Sequence, residues 1–469
     1  CTIVSSSARS GKNVLVVAAS NQAVDVATQK IADRLDNERL KQGELVRVGP
    51  GLTDQISASL RRHVRPDERV RRENARRENA RDRLERMIHR AETSRLVLLR
   101  RARDGLADFL GPVLSEATKR RLESPLRTHQ RALSELENQP VSTPSEIAAE
   151  ARIVVTTAHQ ALLSPTRSEL FDTVVIDEAS MLAQPTVYLM AGRARQHAVL
   201  VGDFQQLPPV TTGNGADDVL TTDVFQRAGI PDAVEHGEEP ANLVTLRTQY
   251  RMKPGICQLA GTIFYGDRLQ TAQQVRKRGA PNTPLGQGSL YCLDTSSFAP
   301  RVRRTGNGSR ENLAHARVVI AVLDYLLLGP DGRPEPDAGP VAVLTPFVAQ
   351  RELVRDRIRH RYPADQVPVS TTHGAQGDEY GIVVLDLVDA KKGLPVSRYL
   401  QADCLTATGA RLLNVGLTRA RDQLVVVGDL PYLAQRAGRV VKALVRALAF
   451  EATRLDGAHI GKGSKAMGA

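Results

Sequence analysis

The 469-residue sequence predicts an α/β protein built from two parallel-sheet domains, with a helical insert in the first. Three observations carry that prediction. Short apolar runs of the buried-strand type, such as Val14–Ala18, Arg152–Thr157 and Thr173–Ile176, alternate with helical stretches, and the same alternation returns near Val341. Two runs, Thr173–Ile176 and Ala198–Val201, lead to the acidic residues Asp177, Glu178 and Asp203, as expected where an open parallel sheet delivers side chains to its carboxyl rim. From about Leu60 to Asn138 the pattern is instead helical and dense in charge, including the tandem RRENARRENA.

Composition sets the class. With 41% hydrophobic and 25% charged residues and no apolar run long enough to span a bilayer, the chain reads as a soluble, cytoplasmic protein with no membrane partner. Cys1, Cys257, Cys292 and Cys404 lack metal-type spacing, which points to reduced thiols and no zinc site. A net charge of +12 and a pI near 9.8 point to a polyanionic partner, or to the compositional excess of arginine over lysine. Aromatics are 4% with no tryptophan, so base stacking can use only a few positions. The chain does not begin with methionine and reads as a fragment without a secretory signal.

In chain order, Cys1–Val4 reads as the tail of a strand and SSSARSGKN as a loop. Gly11 and Lys12 stand where a phosphate loop ends, lysine reaching the β/γ oxygens, but Ser6 replaces the first glycine and Asn13 the usual Ser/Thr; a plain loop is the alternative. After the strand Val14–Ala18, the stretch from Ser20 to Asp25 offers small polar groups for a phosphodiester, or a helix N-cap. A helix to about Leu40 and a strand at Leu45–Val48 follow. The insert carries Leu84, Met87, Ile88, Leu96 and Leu99 at helical spacings. Over Arg61–Glu150 it has 21 basic and 15 acidic residues, so it either touches nucleic acid or presents a solvated face. Beyond Arg152–Thr157, Asp177 and Glu178 form a Walker B arrangement, the first suited to Mg²⁺ and the second to polarising a water; the alternative is a cap on a helix near Ser180. A loop at Thr211–Gly215, a last helix at Val219–Ala228 and a boundary at Pro231–Pro240 close the first half.

The second half opens with LRTQYRM, where Arg251 precedes a helix and either reaches across an interdomain cleft or lies on the surface. A helix at Ala314–Leu328 leads to the strand, turn and helix of VAVLTPFVAQRELVRDRI, then to two further strand-bearing segments. The tail beyond Leu430 is helical, its last ten residues disordered.

In order, SGKN, AASNQAVD, TTAHQ, VVIDEAS, VGDFQQLPP, LRTQYRM, VLTPFVAQ, THGAQGDE and NVGLTRARDQLVVVGD resemble the superfamily 1 DNA/RNA helicases of the Upf-like group. The resemblance implies two RecA-like P-loop NTPase domains, at 1–240 with the insert at 60–140 and at 241–432, followed by a helical and flexible tail at 433–469. It implies a monomeric, ATP-dependent helicase or translocase on single-stranded DNA or RNA, using ATP and Mg²⁺. Carried over by motif, Gly11 and Lys12 bind phosphates, Asn13 and Asp177 hold Mg²⁺, Glu178 activates water and Gln206 senses the γ-phosphate. Arg251 and Arg419 supply arginine fingers, Tyr250 stacks on adenine and Glu379 bonds the ribose. Ser20, Asn21, Thr157, Thr345, Pro346 and Thr371 hold the strand. The competing class is a nucleic-acid-binding protein with a degenerate, weak ATPase, motivated by Ser6 and Asn13. An ATPase acting on protein is disfavoured by QYRM and TRAR.

Overall fold

The computed structural model describes residues 1–50, 56–106, 116–139, 142–163, 169–210, 218–238, 240–279, 281, 283–328 and 340–456. Contacts divide the chain into two compact units, Cys1–Glu178 with Thr186–Val201, and Ala179–Pro185 with Gly202–Ala469.

In the first unit the apolar, β-branched runs become β1 (Val14–Ala18), β2 (Leu45–Arg47), β3 (Ile153–Thr157), β4 (Phe171–Ile176) and β5 (Ala194–Leu200). They form one parallel sheet in the order β2-β3-β1-β4-β5. The inner strands are near-continuous Val/Ile runs because a parallel sheet is covered on both faces. Val14, Val16, Ile153 and Val155 pack with Val24 and Ile31 of the helix Asn21–Ala32.

The expected strand tail at Cys1–Val4 is instead the start of a helix, Thr2–Arg9. A four-residue apolar run cannot by itself tell the two apart, and here Val4 and Ala8, one turn apart, are the buried pair that fixes the helical face. The helix expected to continue to Leu40 is two, Asn21–Ala32 and Asn37–Gln42, the second capped by Asp36.

The insert is helical as expected: Ala58–Val64, then Pro66–Leu106, then Glu116–Asn138. At 1.5 Å per residue the 41-residue helix is about 60 Å long. Arg77 ties it to the next helix by donating to the carbonyls of Leu136 and Gln139. The exposed pairs Arg81–Glu85 and Arg131–Glu135 sit at i,i+4 spacing, the pattern of a solvated face. The side chain of Leu99 lies outside the described residues, as do the loop at Thr211–Gly215 and the last ten residues.

The second unit carries a short parallel pair, β6 (Thr248–Gln249) and β7 (Gln270–Thr271), and an antiparallel hairpin, β9 (Val302–Arg304) with β10 (Arg310–Asn312). Its main sheet is made of β8 (Leu290–Asp294), β11 (Val341–Thr345), β12 (Val369–Thr371), β13 (Tyr380–Asp386), β14 (Ala420–Gly428) and β15 (Thr453–Arg454). All six are parallel, in the order β12-β11-β13-β14-β8-β15. One face is covered by the helices Pro254–Phe264 and Thr408–Thr418, the other by Leu313–Leu327 and Val348–Ile358. These are two RecA-like sheets, the first bearing the helical insert.

The helix expected at Val219–Ala228 is broken into Asp218–Thr221 and Val224–Arg227. Asp223 breaks it by accepting from the backbone N–H groups of Phe225 and Gln226, while its other oxygen takes Arg411 at 3.1 Å. That pair is buried, and it ties residues 218–227 to the helix Thr408–Thr418 within the second unit.

Candidate functional site

In the first unit the carboxyl rim is where sequence reasoning placed it. The Asp177 N–H donates to the Val17 carbonyl at 2.7 Å, carrying the β1–β4 ladder one residue beyond the strand and setting the carboxylate at the rim. Burial raises the Asp177 pKa, offset in part by the Glu178 N–H that it accepts and by the charge of Lys30. Glu178 has φ 52, a left-handed backbone that costs a non-glycine residue about 1–3 kcal/mol and marks functional turns. Ser20 and Asn21 follow β1, and Thr157 ends β3 beside it, so these three share that rim. Ser20 Oγ accepts from the Ala23 N–H and Thr157 Oγ1 from the Gln160 N–H, both at 3.2 Å. Each hydroxyl thus caps a helix and still has its own proton to donate. Asn21 Oδ1 accepts from Arg47 at 2.8 Å, and Arg47 in turn pairs with fully buried Asp25.

Gly11, Lys12 and Asn13 are not at that rim. They join the end of the helix Thr2–Arg9 to the beginning of β1, so they precede a strand where a phosphate loop must precede a helix. The Gly11 N–H donates to Ala8 O at 3.0 Å and the Lys12 N–H to Ser7 O at 3.1 Å, with Gly11 at φ 78. That is a Schellman C-cap, and it explains the glycine. Asn13 is held at the amino edge of the sheet: its N–H donates to Asp172 Oδ2 at 2.8 Å and its carbonyl accepts from the Asp172 and Thr173 N–H groups. The length of β1, about 16 Å at 3.3 Å per residue, separates this edge from Asp177. The assignment of Gly11 and Lys12 to phosphates and of Asn13 to Mg²⁺ is therefore corrected. Ser6 lies within a helix and is no departure from a phosphate loop, which removes the reason for expecting a degenerate ATPase. We expect Lys12→Ala and Asn13→Thr each to leave the ATP hydrolysis rate within about twofold; a loss of about a hundredfold in either variant would reinstate the loop.

The start of the helix Thr2–Arg9 faces the other way. That helix ends at the amino edge of β1, and its Val4 and Ala8 share one apolar cluster with Val14 and Val16 of the strand, so its N-terminus lies toward the rim. Backbone N–H groups and a helix dipole at that position suit a phosphate.

The second unit gathers the other nucleotide candidates at one edge. Arg419 follows the helix Thr408–Thr418 and is 2% exposed. Its guanidinium donates to Val415 O at 3.2 Å, Asp378 O at 3.1 Å and Gln206 Oε1 at 3.2 Å. Arg251 Nε donates to Glu379 at 2.9 Å and its Nη1 to Thr418 O at 3.3 Å. Glu379, expected on a ribose, is thus engaged by Arg251, and Tyr250 stands beside them 63% exposed. Glu379 and Arg419 precede β13 and β14, which makes this the amino edge of the second sheet.

Sequence reasoning missed Tyr265 and Asn414. The Tyr265 hydroxyl donates to Asp203 Oδ2 at 2.6 Å and accepts from Asn414 Nδ2 at 2.8 Å, while Gln206 Nε2 donates to the same Asp203 oxygen at 2.8 Å. Burial, then the charge of Asp203, raises the tyrosine pKa well above its ordinary value, so it remains a donor. The chain Tyr265, Asp203, Gln206 and Arg419 therefore holds the arginine in register with Gln206. Asn414 lies inside NVGLTRAR, the only signal that pointed toward it. Tyr265→Phe is expected to lower kcat about tenfold, the worth of one hydrogen bond of about 1.4 kcal/mol, with KM for ATP little changed. Steady-state kinetics on the variant checks this.

Thr345, Pro346 and Thr371 lie at the opposite edge. β11 and β12 pair with Thr345 directly beside Thr371, which brings two of the expected strand contacts together. Thr371 Oγ1 accepts from the Gly374 N–H at 3.1 Å. Thr345 is buried with its hydroxyl unpartnered, and Pro346 is half-buried.

Two family models, each described as an AAA domain, match residues 2–214 and 225–431. This chain belongs to the Upf-like superfamily 1 helicases. It is 27% identical over 337 residues to the DNA polymerase alpha-associated DNA helicase A of Saccharomyces cerevisiae, a match covering 66% of this chain and 47% of that protein. It is 27% identical over 274 residues to the ATP-dependent helicase NAM7 of the same yeast, covering 56% of this chain and 26% of the relative. It is 28% identical over 271 residues to the 3'-5' exoribonuclease HELZ2 of Homo sapiens, covering 55% of this chain and 9% of the relative. This Upf-like chain thus spans less than half the length of each. Among its described residues no helix is long and apolar enough to cross a membrane, and no cluster of three or more His, Cys, Asp or Glu could hold a metal alone.

Proposed function

We propose that this Upf-like chain is an ATP-dependent helicase or translocase acting on single-stranded DNA or RNA. The observation that carries the proposal is the second sheet. At its amino edge Arg419 is held on Gln206, and at its carboxyl edge Thr345 lies beside Thr371. One layer thereby joins groups that read a triphosphate to groups that hold a strand. Asp177, Glu178, Gln206, Arg251 and Arg419 act on one ATP, Tyr250 on its adenine and Glu379 on its ribose. Ser20, Asn21, Thr157, Thr345, Pro346 and Thr371 hold the strand. Asp177, a rim carboxylate with one oxygen already accepting from Glu178, fits an Mg²⁺ ligand, and Asn13 does not. Bound Mg²⁺ would neutralise charge on the phosphates.

Glu178 takes the proton of the attacking water, and Arg419, with Gln206, stabilises charge on the transferring phosphoryl group. Departure of the γ-phosphate removes the charge that Arg419 and Gln206 read, and the second sheet passes the change to Thr345 and Thr371 at its far edge. The working division is a first ATPase domain at 1–240, a second at 241–432 and a tail at 433–469, in a cytoplasmic monomer.

Displacement of a labelled strand from partial duplexes with either single-stranded overhang tests the proposal. Displacement should require ATP and fail with ADP. Strand-stimulated hydrolysis with no displacement from either substrate would leave a translocase only, and neither displacement nor strand-stimulated hydrolysis would contradict the proposal.

A further inference from the structure

The hairpin of β9 and β10 stands on the same carboxyl edge of the second sheet as Thr345 and Pro346. Ser309 Oγ accepts from the Ala349 N–H at 3.1 Å, and the Arg310 guanidinium lies 5.8 Å from the centre of the Phe347 ring, so the hairpin is fixed to the segment that follows β11. Arg310 also pairs with buried Asp389 at 2.8 Å, beyond the end of β13. On its other side the hairpin is joined to the loop that carries Lys391 and Lys392, the Val302 N–H donating to Lys392 O at 2.9 Å. Gly393 makes that approach possible, because at φ +101 a Cβ there would lie 2.0 Å from Val302 O.

This arrangement concentrates positive charge. Arg301, Arg303, Arg304, Lys391 and Lys392 are all exposed. Among the described residues none of the five makes an ion pair. Arg301 and Lys392 are bridge partners, and Arg304 faces Arg310 in the antiparallel register. Like charges held opposite one another destabilise a sheet, and here the backbone holds them so. Of the nearby carboxylates, Asp389 is occupied by Arg310 and the Ser397 N–H, buried Asp429 accepts from the Lys391 and Tyr432 N–H groups, and Glu311 faces Arg303. Such an edge is relieved by a polyanion.

We propose that this hairpin and the Lys391–Lys392 loop grip the phosphodiester backbone of the single strand held at Thr345 and Pro346. The inference rests on the reading of the chain as a strand-binding helicase. It deepens that reading by assigning to the second unit a grip through charge alone, which adds affinity but no base preference.

The test is fluorescence anisotropy of a labelled single-stranded DNA oligonucleotide without nucleotide, across a NaCl series. The triple variant Arg301→Gln, Arg303→Gln, Arg304→Gln should show a log–log salt slope shallower by about 2, at about 0.7 per phosphate contact. The triple Arg→Lys variant, which keeps the charge, should retain the wild-type slope. An unchanged slope in the glutamine variant, or equal loss in the lysine variant, would overturn the inference and leave the helicase reading standing. A slope change confined to duplex DNA would overturn it too. Failure of the wild-type chain to bind any strand would remove the helicase reading and this inference together.

Discussion

Glu178→Gln is expected to abolish multiple turnover of ATP while preserving ATP binding. The amide keeps the shape of the side chain but loses both the base and the negative charge, and general-base catalysis contributes about 10²–10⁴ in rate. Glutamine has the same shape as glutamate and meets the same cost at φ 52, so the fold should tolerate the change. Binding of a fluorescent ATP analogue and hydrolysis by the same preparation decide it. Near-normal hydrolysis would remove Glu178 from the role of base and leave it as part of the turn.

Arg419→Ala should lower hydrolysis by about a hundredfold or more, since leaving developing phosphoryl charge unstabilised costs about 3 kcal/mol. Its effect on strand affinity without nucleotide should be small, because Arg419 sits at the amino edge of the second sheet and Thr345 and Thr371 at the carboxyl edge. The deletion also leaves Gln206 Oε1 and the Asp378 carbonyl without that donor. Arg419→Lys therefore serves as a companion: a lysine keeps charge but not the fork that spans both acceptors, and should recover only part of the rate. If strand affinity fell and hydrolysis did not, Arg419 would be a backbone contact instead.

The two sheets were legible in the sequence because parallel strands buried on both faces leave unbroken apolar runs such as VLVVA and IVVTT, and because Asp177 directly follows another such strand, Phe171–Ile176. The site was legible only where a motif and its secondary structure agree. QYRM and NVGLTRAR singled out Arg251 and Arg419, which the structure sets against Glu379 and Gln206, two other residues that the motifs had singled out. SGKN misled because glycine followed by a basic residue serves a helix C-cap as well as a phosphate loop, and only the order of helix and strand distinguishes them. Tyr265 carried no local signal at all. Its partner Asp203 is 62 residues away, and a hydroxyl aimed at a distant carboxylate leaves no periodicity to read.

The central claim is that ATP hydrolysis here is coupled to a single strand. Its most direct test is the ATPase rate of the chain, with Mg²⁺, in the absence and presence of single-stranded DNA and single-stranded RNA. The account predicts slow hydrolysis alone and a several-fold or greater stimulation by at least one of the two polymers, lost in Glu178→Gln. Hydrolysis at the same rate with and without either strand would contradict it.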